Sequence, residues 1–335
     1  SADIGTGHVM RCLALAQAWQ TEGGKVTFLV GMIAPELDER LQSEGFAVLH
    51  HEKTLGSRED GDHTIAWAQE LEANAVVVDG YHFGSAYQKR LKQAGLQVLF
   101  IDDNGHANHY YADWVLNQNI YAHEGLYTNK EPYTQLLLGT RYALLRKEFW
   151  PWRDWQREIA PHPDRILVTL GGSDPNNVTL RIIQALQKIE TRTLEVSALV
   201  GASNPHYEML QGAVKTDKHH IELRRNVNNM PELMAWADIA ISAGGSTNWE
   251  LAFMGLPSLV IPLAENQIEI VRTLASMELV VSLEKADIFV PERLDISLEQ
   301  LKDCTIRNDL MQRGQKLVDG QGTNKVASFL IGGER

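Results

Sequence analysis

Two consecutive α/β domains, each built on a doubly wound parallel sheet, are what this sequence predicts. Three observations carry that expectation. Strand-length apolar runs alternate with helical patterns along nearly the whole chain. The alternation is interrupted once, by the charged, Trp- and Pro-rich stretch RKEFWPWRDWQREIAPHPDR over 146–165. Three strand-to-helix passages run through glycine loops. Short loops between strand, helix and strand force parallel strands with helices on both faces. The 335 residues, 44% of them apolar, suffice for two cores. The predicted layout is residues 1–145, a bridge over 146–164, and residues 165–335, the two halves facing each other across a cleft.

In the first half, a glycine loop over 4–8 opens a helix that runs to Trp19. KVTFLV (25–30) and FAVLH (46–50) are strands, separated by the short helix LDERLQSEG with its glycine stop. TIAWAQELEA (64–73) is helical, AVVVDG (75–80) is a β-branched buried strand, and SAYQKRLKQAG (85–95) is a helix. QVLFIDD (97–103) and WVLNQN (114–119) complete the strand series, followed by TQLLLGTRYALL. In the second half the strands are RILVTLGG (165–172), LEVSALVG (194–201), DIAISAGG (238–245), PSLVIPLA (257–264) and LVVSLEK (279–285). Helices follow at 177–189, 230–237, 246–255 and 266–277, and the tail over 298–330 reads as helical. His50-His51 and His219-His220 read as surface pairs.

The formal net charge is −12 and no long basic run occurs, which argues against nucleic acid or an anionic membrane as partner. Two cysteines make neither a disulfide framework nor a thiolate zinc site and fit a reducing cytoplasm. No apolar run is long enough to span a bilayer. A monomer without cofactor is expected.

The three glycine loops are Gly5-Thr6-Gly7-His8, Gly171-Gly172-Ser173-Asp174 and Gly244-Gly245-Ser246-Thr247. Glycine admits an anion close to the backbone, and free N–H groups at a helix start favour negative charge. GxxxxGK[ST] is absent and the first loop has Met10 where GxGxxG needs its third glycine, so ATP hydrolysis and NAD chemistry lose support. Ser246 and Thr247 suit a phosphate or a helix cap equally. Glu250 suits the two hydroxyls of a ribose or, three residues after Thr247, a capping box. Asp102-Asp103-x-x-His106-x-x-His109 groups ligand types on one loop, but without HExxH spacing it reads as polar loop, and no metal is expected.

GGST-x-x-E with GLPSLVIPLAENQ, joined to the N-terminal GTGH loop, resembles the GT-B sugar-nucleotide enzymes. VVVDGYHF, IDDNGH, ADWVLNQN, LGTRYALLRKEF and LGGSDPNN extend the match over nearly the whole chain. Within that group it looks most similar to the hydrolases that release UDP from UDP-2,4-diacetamido-2,4,6-trideoxy-β-L-altropyranose in pseudaminic acid biosynthesis. The C-terminal part alone also fits the related peptidoglycan N-acetylglucosaminyltransferases, and GHVMRC in place of their double-glycine-histidine pattern favours the hydrolases.

The resemblance implies that His8 activates the attacking water, with Tyr81 and Asn266 as further catalytic residues. It implies that a UDP-sugar contacts Gly7, Arg11, Gly172, Ser173, Asp174, Gly245, Ser246, Thr247, Glu250 and Gln267. UDP is expected on the second domain and the sugar at His8 and Tyr81, with Arg11 on a phosphate or an acidic neighbour and Asp79 orienting backbone or Tyr81. Chemically, a neutral imidazole suits removal of a proton from water, and a diphosphate is already a good leaving group. The resembling enzymes also have a strand just before the first loop, so a gap or substitute is expected at the centre of the first sheet.

Overall fold

The computed structural model describes residues 7–172, 174–190, 192–201, 204–215, 218–225, 227–283, 285 and 291–332. The chain divides into two compact units, His8–Lys147 with Gln321–Arg335, and Glu148–Gly320.

The first unit opens with α1 (Gly7–Thr21), an Ala- and Leu-rich segment free of internal Gly and Pro, which buries Leu13, Ala14, Leu15 and Ala16. There follow β1 (Thr27–Val30), α2 (Pro35–Ser43), β2 (Ala47–His50), α3 (Arg58–Glu70), β3 (Ala75–Asp79), α4 (Ser85–Gln93), β4 (Gln97–Ile101), β5 (Trp114–Asn117) and β6 (Gln135–Leu138). Every ladder is parallel, as the alternation predicts, but there are two of them: β1–β2, and β3–β4–β5–β6. Helix α1 packs Leu13 and Ala16 against Leu41 and Phe46 beside the first ladder. A separate core of Val98, Phe100, Val115, Leu91 and Tyr110 holds the second.

Helix α3 begins six residues before the predicted start, because Ser57 caps it by accepting from the Asp60 N–H at 3.1 Å. The charged first turn masks this start in the sequence. His51 is not a surface residue. It is buried, 2.9 Å from the equally buried Asp60, and its ring meets those of His63 and Trp67.

The second unit carries β7 (Arg165–Thr169), α5 (Val178–Gln187), β8 (Glu195–Leu199), α6 (Tyr207–Ala213), β9 (His220–Arg224), α7 (Met230–Trp236), β10 (Ile239–Ala243), α8 (Thr247–Phe253), β11 (Ser258–Ile261), α9 (Glu265–Ser276), β12 (Val281–Ser282), α10 (Pro291–Gln300) and α11 (Cys304–Leu317). Its six strands form one parallel sheet in the order β12-β11-β10-β7-β8-β9. Strand order reverses between β7 and β10, the point at which doubly wound sheets bind ligands beyond their carboxyl ends. The edge strand β9 has no counterpart in the sequence reading. It starts at His220, while His219 is buried and accepts from the Leu194 N–H at 3.1 Å. The last helix, α12 (Gly322–Ile331), returns to the first unit, where Thr323 accepts from the Leu145 N–H and donates to the Leu145 carbonyl.

Helix α8 stops at Gly255, whose φ of +58° lies in the left-handed region. A Cβ there would approach Gln315 and Met311 on α11 to 2.9 Å. Gly255→Ala therefore combines backbone strain with overpacking and should cost about 1–3 kcal/mol. Thermal unfolding checks this; an unchanged Tm would show that α11 gives way freely.

Candidate active site

Two adjacent parallel strands of the first unit, β3 and β4, carry acidic residues at their carboxyl ends. Asp79 closes β3, and Asp102 and Asp103 follow β4. The N-terminal turn of α1 carries His8 and, three residues on, Arg11 on the same face. His8 Nδ1 lies 2.6 Å from Asp79 Oδ1. Arg11 donates through Nε and Nη2 to the two oxygens of Asp79, each at 2.6 Å, and through Nη1 to both oxygens of Asp103 at 2.9 and 2.8 Å. This is the two-pronged geometry that guanidinium offers and ammonium does not.

The charges settle the histidine tautomer. Burial alone would raise the Asp79 carboxyl. The adjacent Arg11 charge and the hydrogen bonds from Arg11 and His8 outweigh it and hold the group at about 2. An ionised Asp79 cannot donate, so the short contact requires a proton on His8 Nδ1. Arg11 Nη2, 3.2 Å from the same nitrogen, is then a neighbour and not its donor. In the neutral ring the lone pair therefore falls on Nε2, and the side chain is partly exposed, at 19%. Arg11 itself is driven upward: burial disfavours its charge, but Asp79 and Asp103 more than compensate.

Around this centre the backbone is pinned by polar side chains. Asn119 donates to Asp103 Oδ1 at 2.9 Å, and Asn117 and Tyr121 donate to the Asp103 carbonyl at 3.0 Å. Fully buried Asp102 accepts from the N–H groups of Asn104, Gly105 and His106 and from the Tyr110 hydroxyl. Tyr81, on the loop after β3, is 41% exposed, with its ring edge-on to His8 at 5.3 Å between centroids.

In the second unit the glycine loops follow the adjacent strands β7 and β10, at the reversal of strand order. Gly245 has open space where a Cβ would stand, Ser246 is exposed, and Thr247 and Glu250 are half-buried. No side chain caps α8. Gly244 admits no Cβ, because Gln267 and Val271 lie within 3 Å of that position. Asn266 is exposed in the first turn of α9.

The structure thus gathers His8, Arg11, Asp79 and Tyr81, but three expected ligands have other work. Arg11 is buried and tied to Asp79 and Asp103, so it meets an acidic neighbour and not a phosphate. Asp174 is buried and binds the N–H groups of Val178 and Thr179, each at 2.8 Å, which makes it the anchor of α5. The Gln267 side-chain oxygen accepts from Gly244 and Leu263, bracing the loop from behind. Gly172 packs its carbonyl so close to Gly201 that a Cβ there would meet it at 2.0 Å. Gly7 begins α1, and Ser173 lies outside the described residues. The sequence reading missed Asp103, Asn119 and Tyr121. The paired aspartates after a strand were the available signal, weighed in the sequence as metal ligands and read as polar loop.

Arg11→Met strands two carboxylates without their cation and should lower stability by about 3–5 kcal/mol. In the wild type, Asp79 has its carboxyl at about 2 against an ordinary 3.8. A depressed carboxyl stabilises the fold above the ordinary value and loses that contribution as pH falls through the folded value. About 2 kcal/mol should therefore disappear between pH 4 and pH 2. Urea unfolding across that range measures it, and in Arg11→Met the acid dependence should flatten.

Residues 165–316 match the model of the Glycosyltransferase family 28 C-terminal domain. The spore coat polysaccharide biosynthesis protein SpsG of Bacillus subtilis is 26% identical over 333 residues, covering 97% of this chain and 94% of that protein. The pseudaminic acid cytidylyltransferase and UDP-2,4-diacetamido-2,4,6-trideoxy-beta-L-altropyranose hydrolase of Helicobacter pylori is 26% identical over 267 residues, 79% of this chain. The chain spans only 43% of that protein, and 55% of MJ1062 of Methanocaldococcus jannaschii, to which it is 24% identical. Among solved structures, MurG of Acinetobacter baumannii superimposes with a TM-score of 0.70 at 18% identity, covering 98% of this chain and 97% of that one. The fold is therefore GT-B, and residues 165–316 are the part of the chain that matches the glycosyltransferase family 28 C-terminal domain.

Proposed function

We propose that this protein is a hydrolase of a UDP-linked 2,4-diacetamido-2,4,6-trideoxy sugar of the altrose type. Water attacks the anomeric carbon, the bond from that carbon to the diphosphate oxygen breaks, and UDP leaves with the electron pair. The water's second proton passes to His8. The observation that carries this reading is the His8–Asp79 pair, in which a buried carboxylate engages Nδ1 of a partly exposed ring and leaves Nε2 as the nitrogen to take a proton. That is the arrangement of a general base with its orienting group. The named hydrolase activity of the Helicobacter pylori relative supports the substrate class.

In this reading Tyr81 and His8 serve the sugar, while Gly245, Ser246, Thr247 and Glu250 bind UDP and Asn266 contacts the diphosphate. Gly245 accepts a phosphate against its backbone, and Glu250 takes the ribose hydroxyls. Gly244, Gln267 and Asp174 keep the loops in shape. A cytoplasmic monomer acting without metal or cofactor completes the proposal, and among the described residues no helix is long and apolar enough to cross a membrane.

The family 28 match and the likeness to MurG favour a second reading, a GT-B transferase that delivers the sugar to an acceptor hydroxyl. Incubation with the UDP-sugar in 18O water, without acceptor, separates the two. The hydrolase places label in the free sugar. Label in UDP would refute attack at carbon, and turnover only on adding an acceptor would establish the transferase.

His8→Ala should slow UDP release by about 10²–10⁴-fold while leaving binding of UDP itself intact. A loss of only a few fold would remove His8 from the role of base. Gly245→Ala introduces a Cβ into open space, so stability should hold while UDP affinity falls by about tenfold or more, because the phosphate loses its close approach to the backbone. Calorimetric titration with UDP reads this, and unchanged affinity would place the diphosphate elsewhere.

A further inference from the structure

His106 belongs to neither role assigned so far, yet it touches the loop that presents Tyr81. That loop joins β3 to α4 over residues 80–84. Within it the Phe83 N–H reaches the Gly80 carbonyl across a long 3.4 Å, and at its end the Gly84 carbonyl accepts from the Gln88 N–H of α4 at 3.3 Å. Tyr81 stands between two histidines, with ring centroids 5.3 Å from His8 and 6.0 Å from His106. On one flank, Gly56 packs so tightly on the His82 carbonyl that a Cβ would lie 2.0 Å from it. On the other, His106 Nε2 lies 3.0 Å from the Phe83 carbonyl oxygen, and its Nδ1 lies 3.0 Å from Asp102 Oδ1.

Both ring nitrogens of His106 therefore face acceptors that carry no proton to give. A carbonyl cannot donate. Asp102 is ionised: burial would raise its carboxyl, but hydrogen bonds from His106, Tyr110 and the Asn104 N–H outweigh burial and hold it low. Neutral imidazole has one N–H, so in that state one of the two contacts would set lone pair against lone pair. Only the doubly protonated ring satisfies both.

We propose that His106 is a positioning residue for Tyr81: as an imidazolium it bridges the Asp102 carboxylate and the Phe83 carbonyl, and so latches the 80–84 loop in a proton-dependent way. The groups facing it are Asp102 and Asp103 beyond β4, Tyr110 from the following loop, and Tyr81 from the latched loop itself, with the Phe100 ring of β4 packed alongside. The hydrogen bond with Asp102 raises His106 above the ordinary histidine value of 6.5, against the opposing effect of burial. With a raised folded value, the latch is complete below 6.5 and is lost as pH rises through that higher value. Its effect on turnover rests on the hydrolase reading; the latch itself does not.

Two measurements on the full chain test it without substrate. In protein carrying 15N-histidine, the His106 ring, assigned by its absence from His106→Gln, should be protonated at both nitrogens at pH 6.5 and titrate above that. Amide exchange across residues 80–84, expressed as protection factors, should fall about tenfold in the wild type as pH rises through that titration. In His106→Gln it should be low and flat at every pH. A singly protonated His106 at pH 6, or protection indifferent to pH in the wild type, overturns the proposal. If His106→Gln does not fold, the wild-type titration and exchange decide alone. If UDP release is observed, the variant should raise KM far more than it lowers kcat, and the wild-type KM should rise over the same pH range. A protein that latches as described but hydrolyses no UDP-sugar would refute the hydrolase reading and leave the latch standing.

Discussion

One cation between two carboxylates organises the first unit. Arg11 is buried, and so is Asp79, while Asp103 is largely enclosed. Removing such groups from water is costly unless every donor and lone pair finds a partner. Here each prong of the guanidinium meets an oxygen, and the Cys12 thiol sits 3.6 Å from Asp79 as well. The arrangement ties the start of α1 to the ends of β3 and β4. It also keeps Asp79 ionised, which in turn decides which nitrogen of His8 carries its proton. The proton placement on His8 is thus a consequence of the Arg11 pairing.

The same economy of parts runs through the neighbouring loops. Asp102 gathers the N–H groups of the turn that follows it, while Tyr127 donates to its carbonyl at 2.6 Å. Two adjacent aspartates thereby serve opposite ends of one structure: Asp103 faces the buried arginine, and Asp102 shapes the 102–106 turn and receives His106. Asparagine and tyrosine side chains hold the connecting backbone through its carbonyls. Buried polar networks of this kind are rigid when fully satisfied.

The second unit positions its loops differently, by topology and tight packing instead of by charge. Reversal of strand order between β7 and β10 brings two glycine loops side by side. Each is backed by a side chain with no surface role: Asp174 anchors α5 behind the first, and Gln267 braces the second. Gly244 allows Gln267 to approach, whereas Gly245 leaves its outer side open. Adjacent glycines in one motif therefore stand in different surroundings, one closed in by neighbouring side chains and one open.

The sequence by itself determined what depends on near neighbours. The alternation of apolar runs gave parallel strands in both halves, and glycine stops such as Gly45 and Gly255 ended helices where expected, because periodicity and backbone permission are local properties. His8 at a helix start and Tyr81 after a strand were legible for the same reason. Partner choice was not. Arg11 meets carboxylates 68 and 92 residues away, so nothing in its own segment distinguishes a phosphate ligand from a buried strut. His51 and His219 looked exposed because their burying partners are remote. Helix α12 reads simply as a helical tail, and only packing against Leu145 and Ala143 assigns it to the first unit. Long-range contacts decide burial, burial decides which charges must pair, and pairing decides which of the candidate residues remain available for chemistry.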